Sequence, residues 1–348
     1  MIKKKVKSII IIFFITFVFL IIIEGISRVI YNVKISKIKD FSISGCHLEI
    51  NKFIPNCAIK IKRWENKREI LYKIDDKGYR ESSLPFNSSN KINFVFFGDS
   101  FTYGDMNNEK ENYVYLISNY IKSFQSVGYQ NRGFPGLGFL EILDKIKNDD
   151  LDKFDYIVYG MTPNDVYSLK VKSVKKNVSM IKENENYLEK VILSLKSNFN
   201  LRSVQVATSI VLKNDLIYKK IWEKRKEKDF INNSNNNLFK KRYEVIEQKL
   251  QSLKKNKKEK LIILTIPQKI QVVNHNLGHF EKSKIFENKI GVICKKLKIK
   301  CVLTLNNLKL KKRVNKTHFT IDGHLTAFGN KWISKLIVKD KNFLNLYK

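Results

Sequence analysis

Apolar residues in this chain follow two repeating patterns. Runs rich in β-branched and aromatic residues, Ile92 to Phe97, Tyr156 to Tyr159 and Leu261 to Ile266, predict buried strands. Ser126 to Gln130 and Lys300 to Leu305 read as two further short strands. Between them the apolar positions recur at helical spacing. Tyr113, Leu116, Ile117, Tyr120 and Ile121 form one such stripe, Phe239, Tyr243, Ile246, Leu250 and Leu253 a second, and Phe286, Ile290 and Ile293 a third. Gly138 to Ile146 and Thr326 to Val338 read as helices as well. Alternation of this kind predicts an α/β fold, a three-layer parallel sheet with helices on both faces. Such sheets bind ligands at the carboxyl ends of their strands. Three polar segments fall there: Gly98 to Gly104, the stretch Asn131 to Gly136 that reads as a loop, and Gly160 to Asp165.

Two regions break the rhythm. Residues 166–258 are lysine-rich and mostly helical in pattern, with a low-complexity patch at Asn232 to Asn237, and are too long for a simple crossover. They read as an insertion or lid over the strand ends, or as a purely structural addition. At the other end, Lys3, Lys4, Lys5 and Lys7 precede sixteen uncharged residues, Ser8 to Ile23. As a helix these cover roughly 24 Å, enough to span a bilayer of about 30 Å when flanking residues snorkel. No small-x-small cleavage site follows Glu24, which favours an uncleaved membrane anchor over a signal peptide. The chain thus divides into an anchor over residues 1–30, a juxtamembrane stalk with short strands over 31–90, and a main domain over 91–340. The lysine cluster favours a cytoplasmic N-terminus and a body outside the cytoplasm, on the periplasmic or cell-surface side.

Charge and cysteine usage refine this picture. The net charge is +33, yet the lysines are scattered and nowhere alternate with stacking aromatics in a compact patch, so no nucleic-acid partner is expected. Cys46 and Cys57 lie in a loop-like segment, and Cys294 and Cys301 flank a helix-to-strand connection. Two local disulfides are one of three possible pairings, and four unpaired thiols are the alternative. No spacing matches a zinc site, and nothing calls for a cofactor.

The chemistry begins at Gly98-Asp99-Ser100. A strand ends at a glycine and presents a hydroxyl where a following helix leaves backbone N–H groups unpaired, a favourable position for a nucleophile and equally for a simple helix cap. A serine nucleophile needs a base, and the base needs a partner. Of the five histidines only His324 has a carboxylate two residues before it, Asp322, which reaches the same side in an extended segment. The competing reading is an Asp-Gly turn capping the last helix. Acyl transfer also needs donors for an oxyanion. Gly136 can offer a backbone N–H and Asn164 a side-chain amide, although each alone is a common turn or cap residue.

Taken together, these segments resemble the four blocks of the SGNH hydrolases, the GDSL esterase/lipase family. Gly98-Asp99-Ser100 is similar to the nucleophile block, Asn131 to Gly136 to the glycine block, Pro163-Asn164-Asp165 to the asparagine block, and Asp322-Gly323-His324 to the terminal block, in the family's order. The turn Asp75 to Arg80 resembles a segment found ahead of the nucleophile block in membrane-anchored members. The resemblance implies an SGNH/flavodoxin-like fold. It implies Ser100 as nucleophile, His324 as base oriented by Asp322, and an oxyanion hole of the Ser100 and Gly136 N–H groups with the Asn164 side chain. Two positions depart from the pattern. Thr162 stands where many members carry glycine, and Asp322 precedes His324 by two residues where many members have three. The two-residue spacing resembles the polysaccharide O-acetyltransferase branch. The implied activity is removal of an O-acyl group, acetyl in the first instance, from an ester-bearing substrate such as a cell-envelope glycan. O-acetyl transfer to an extracytoplasmic polysaccharide and non-catalytic glycan binding are the alternatives.

Overall fold

Every residue of the strand leading to Ser100 is buried, so helices must cover it on both sides. A computed structural model describes residues 2–30, 46–49, 52–62, 69–167, 169, 203, 207, 210–223, 237–307, 314–320 and 322–347. Its strands are β1 (His47–Glu49), β2 (Lys52–Phe53), β3 (Ala58–Lys62), β4 (Glu69–Lys73), β5 (Ile92–Gly98), β6 (Val127–Gly133), β7 (Tyr156–Met161), β8 (Leu261–Thr265) and β9 (Lys300–Leu303). The helices are α1 (Ile2–Ile30), α2 (Ser100–Tyr103), α3 (Tyr113–Lys122), α4 (Phe139–Asn148), α5 (Pro163–Tyr167), α6 (Asp215–Glu223), α7 (Asn237–Gln251), α8 (Lys255–Lys260), α9 (Lys269–Asn276), α10 (Phe280–Leu297), α11 (Val314–Thr317), α12 (Ala327–Ile337) and α13 (Lys341–Leu344).

β6, β5, β7, β8 and β9 form, in that order, one five-stranded parallel sheet. β5 lies between β6 and β7, so the turn after β5 opens where the strand order reverses, the usual ligand position in such sheets. α3 and α12 pack together against one part of the sheet, while α4, α7 and α10 pack together against another. Their apolar stripes are those expected from the sequence: Tyr113, Ile117 and Ile121 of α3, and Phe239, Tyr243, Ile246 and Leu250 of α7, are all buried. Two antiparallel pairs, β1 with β2 and β3 with β4, precede the sheet. The core runs back into them through Phe53, Ile70, Tyr72 and Ile74.

Three readings need correction or limits. The segment Asn131 to Gly136 is not wholly loop: β6 continues through Gly133, because Asn131, Arg132 and Gly133 pair with Phe96, Phe97 and Gly98. The helix α9 directly after Pro267 has no counterpart in the pattern reading, since residues on all its sides are buried and no stripe marks it. Of the helical stretch expected over 166–258, most of residues 168–209 and all of 224–236 lie outside the described residues; α6, α7 and α8 account for the described remainder. Disulfides join Cys46 to Cys57 and Cys294 to Cys301, the local pairing. α1 contains one stretch, Ile11–Val29, long and apolar enough to cross a membrane, and its helix continues past Glu24.

Candidate functional site

The site starts from a row of glycines. Gly98 is paired with Gly133 on one side and Gly160 on the other, across the ends of three adjacent strands. A Cβ on Gly98 or Gly160 would collide with the Thr102 side chain, and one on Gly133 with the Tyr103 backbone. Side-chain-free strand ends therefore let the single turn α2 sit directly on the sheet. There Thr102 Oγ1 hydrogen-bonds the Tyr113 hydroxyl at 2.8 Å. Asp99 caps the turn by accepting from the Phe101 N–H at 2.9 Å, and Ser100 becomes its first residue.

The histidine arrives from the far end of the chain. A bridge between His318 and Leu325, with the Phe319 N–H donating to the His324 carbonyl at 2.8 Å, closes a loop around Asp322. Gly323 at φ 85° turns the backbone within it, so Asp322 meets His324 across a turn rather than along an extended segment. Asp322 Oδ1 accepts from His324 Nδ1 in a short bond and from the His324 backbone N–H at 3.2 Å. A carboxylate only accepts, so Nδ1 carries the proton. In the neutral ring Nε2 is then an acceptor, and it lies 2.6 Å from Ser100 Oγ. The nucleophile loop and the histidine loop are also joined directly, by the Asn107 amide donating to the Leu325 carbonyl at 2.7 Å.

Electrostatics favour a charged imidazole. Burial works against it, but the charge and hydrogen bond of Asp322, with Asp105 and Asp99 behind, outweigh burial and raise His324 to about 9. His318 behaves oppositely. Fully buried, with Nε2 donating to the Pro267 carbonyl at 3.1 Å, it is lowered to about 3 by burial and is neutral. It ties the histidine loop to the end of β8 and is no candidate base.

Behind Ser100, Asp99 is buried, and that burial raises its carboxyl above the usual range. Thr162 Oγ1 donates to it at 2.9 Å, so the hydroxyl at this position has a buried partner. Asp165, pushed well above its ordinary range by burial and then by the charge of Asp99, accepts from the Thr162 N–H at 2.7 Å.

The oxyanion candidates lie on neighbouring loops. Gly136 sits at φ 86° in a turn closed by the Leu137 N–H on the Phe134 carbonyl, and the Phe134 N–H is held by the Gly98 carbonyl at 2.9 Å. A Cβ there would meet nothing within 4 Å, so conformation rather than crowding selects glycine. Asn164 is on α5 and exposed. Its Oδ1 accepts from Gln268 Nε2 at 2.5 Å, and its amide nitrogen is directed to Asp99.

Gln268 and Asn107 were not singled out in the sequence, and Asn131 and Arg80 only as parts of longer segments. Gln268 turns the Asn164 amide. Asn131 bridges the Thr102 carbonyl and the Gly133 N–H, both at 2.9 Å. Asn107 joins the two loops. Arg80, 1 % exposed, donates to the carbonyls of Tyr103, Gly104 and Asn107, and its guanidinium carbon lies 5.1 Å and 5.0 Å from the ring centres of Tyr72 and Tyr103, which stack on each other. Asn131 and Arg80 had a signal in those segments, and Gln268 in its place after the fourth strand at the carboxyl end of the same sheet. Among the described residues no group of three or more His, Cys, Asp or Glu is arranged to hold a metal.

No protein-family profile matches the chain, and no curated protein does. Solved structures similar to it include a lipase/acylhydrolase from Enterococcus faecalis, 14% identical, with 72% of this chain and 95% of that chain covered and a TM-score of 0.39. A member of the lipolytic G-D-S-L family from Veillonella parvula is 12% identical over 72% and 98%, with a TM-score of 0.38. An acetyl xylan esterase from Geobacillus stearothermophilus is 12% identical over 72% and 94%, with a TM-score of 0.39. Likeness at this level is one of outline, and the chemistry of the site stands on this chain's own residues.

Proposed function

We propose that the chain is a membrane-anchored serine esterase of the SGNH type, removing an O-acyl group, acetyl in the first instance, from a cell-envelope glycan. The observation that carries the reading is the 2.6 Å separation of Ser100 Oγ and His324 Nε2, with Asp322 on the opposite ring nitrogen. In the mechanism this supports, neutral His324 takes the Ser100 proton as Oγ adds to the acyl carbon. The N–H groups of Ser100 and Gly136 and the amide of Asn164 receive the negative oxygen of the tetrahedral intermediate. His324, now an imidazolium stabilised by Asp322, returns the proton to the departing alkoxide, leaving Ser100 acylated. Water activated by the same imidazole releases the acid and restores the serine.

An O-acetyltransferase shares every step up to the acyl-enzyme and differs in the acceptor, a sugar hydroxyl in place of water. The Asp322-Gly323-His324 spacing favours this as the second reading. Fluorophosphonate labelling and p-nitrophenyl acetate cleavage test the proposal. Both are expected in wild type and absent in Ser100→Ala and His324→Ala. A wild-type protein with neither, and with no acetyl transfer to added glycan, rules the reading out. Acylated glycan accumulating faster than free acetate selects the transferase.

A further inference from the structure

The corner between residues 210–212 and α6 presents a concentrated apolar surface. Ile210 is 62%, Val211 42%, Leu216 58% and Ile217 40% exposed. Isolated exposed aliphatics are ordinary, but four on one corner call for a partner. The corner is ordered by its own hydrogen bonds. The N–H groups of Lys213 and Asn214 donate to the carbonyls of Ile210 and Val211, each at 3.2 Å, and Asn214 Oδ1 accepts from the N–H groups of Leu216 at 3.0 Å and Ile217 at 3.2 Å. Its inner side is packed: Tyr218 is buried with Lys269 Nζ 4.0 Å from its ring centre, and Leu212 rests on the core. The outward side is thus a fixed apolar face on a supported corner.

A second contact indicates what that face meets. Ser203 donates from its backbone N–H at 2.9 Å and its hydroxyl at 2.8 Å to Glu24, the residue that ends the uncharged run of α1. Close by on α1, Ser27 is 8% exposed. Ile210 is seven positions beyond Ser203, a span that reaches at most about 25 Å. The corner therefore lies within that distance of the point where the apolar run of α1 ends. Exposed Lys213 and Lys220 flank the aliphatics with the charge that suits anionic headgroups.

We propose that this corner inserts into the lipid surface, so that the body is held to the bilayer at two points, α1 and residues 210–217. This rests on the reading of α1 as a membrane anchor. The corner is coupled to the site: α6 packs on α9, and Lys269 at the start of α9 donates to the Thr320 carbonyl at 2.7 Å, two residues before Asp322. A body docked in this way works on substrate close to the membrane.

The full chain, reconstituted in vesicles of phosphatidylcholine with a minority of phosphatidylglycerol, tests this. The native cysteines are paired, so an environment-sensitive fluorophore can be placed on one new thiol at a time. Leu216→Cys and Ile217→Cys report on the corner, Phe14→Cys on the anchor and Val292→Cys, 67% exposed on α10, on solvent. The expected result is blue-shifted emission at positions 216 and 217, quenched by spin-labelled lipid to an extent nearer that at 14 than that at 292. Emission and quenching at 216 and 217 matching position 292 overturn the proposal. Quenching at 14 without quenching at 216 and 217 leaves the anchor intact and removes the corner. Quenching at 216 and 217 without quenching at 14 removes the anchor and overturns attachment at two points, leaving the corner as the single contact. Disulfide-linked dimers through Leu216→Cys without lipid quenching assign the face to a second copy and also overturn it.

Discussion

At the scale of single residues, the proposed mechanism makes His324 the group that sets the pH behaviour. A general base works only when neutral, and Asp322 holds His324 protonated to about 9. Esterase activity should therefore rise with pH through that region, well above the range of an unperturbed histidine. Asp322→Asn removes the charge and should move the rise to lower pH. It should also cut the plateau on the order of 10⁴-fold, because the proton is no longer held on Nδ1; a kcat/KM profile measures both effects. Gln268 makes a subtler contribution. Its NH₂ holds the Asn164 carbonyl and so turns the amide nitrogen inward. Gln268→Leu should lower kcat about 10-fold, less than the loss of a whole oxyanion donor, with KM little changed. In an Asn164→Ala background the same change should have no further effect, which a general loss of packing would not reproduce. Ser100, His324, Asp322, Gly136 and Asn164 stood out as candidates because each is a distinctive residue type at a strand end or in a loop. Gln268 had only its place after β8 to mark it, since an amide beside another amide has no pattern of its own.

At the scale of elements, the decisive feature is the glycine row beneath α2. Gly160→Ala places a methyl against Thr102 and the Tyr113 hydroxyl, both of which are packed. The cost should be about 1–3 kcal/mol of stability, read from denaturant unfolding. Activity should fall further than stability, because α2 moves and carries Ser100 with it. Strand positions were readable from apolar runs, yet the end of β6 was misplaced as loop. Asn131, Arg132 and Gly133 look like turn residues and become strand because β5 offers them hydrogen-bonding partners. α9 was missed for a related reason: a helix buried on every side has no polar face to give it a period.

For the whole molecule, Arg80 shows how far the site depends on distant parts of the chain. It stands in a segment that reads as a turn ahead of the main domain, yet its guanidinium supplies donors to three carbonyls of the loop that follows Ser100. Arg80→Met should cost about 3–5 kcal/mol in a thermal or denaturant melt, because those buried carbonyls lose their donors. Arg80→Lys should recover part of this, since one ammonium cannot match the planar fork. By itself the sequence determined the order of the five sheet strands and of the helices that carry an apolar stripe, the apolar N-terminal segment and the residue types at the strand ends, because period and composition are local properties. Tertiary structure alone decided that a ring at position 324 meets a hydroxyl at position 100, that the Asn164 amide is turned by Gln268, and that Arg80 lies inside. Those outcomes depend on packing between residues far apart along the chain, and no local pattern encodes which of them come into contact.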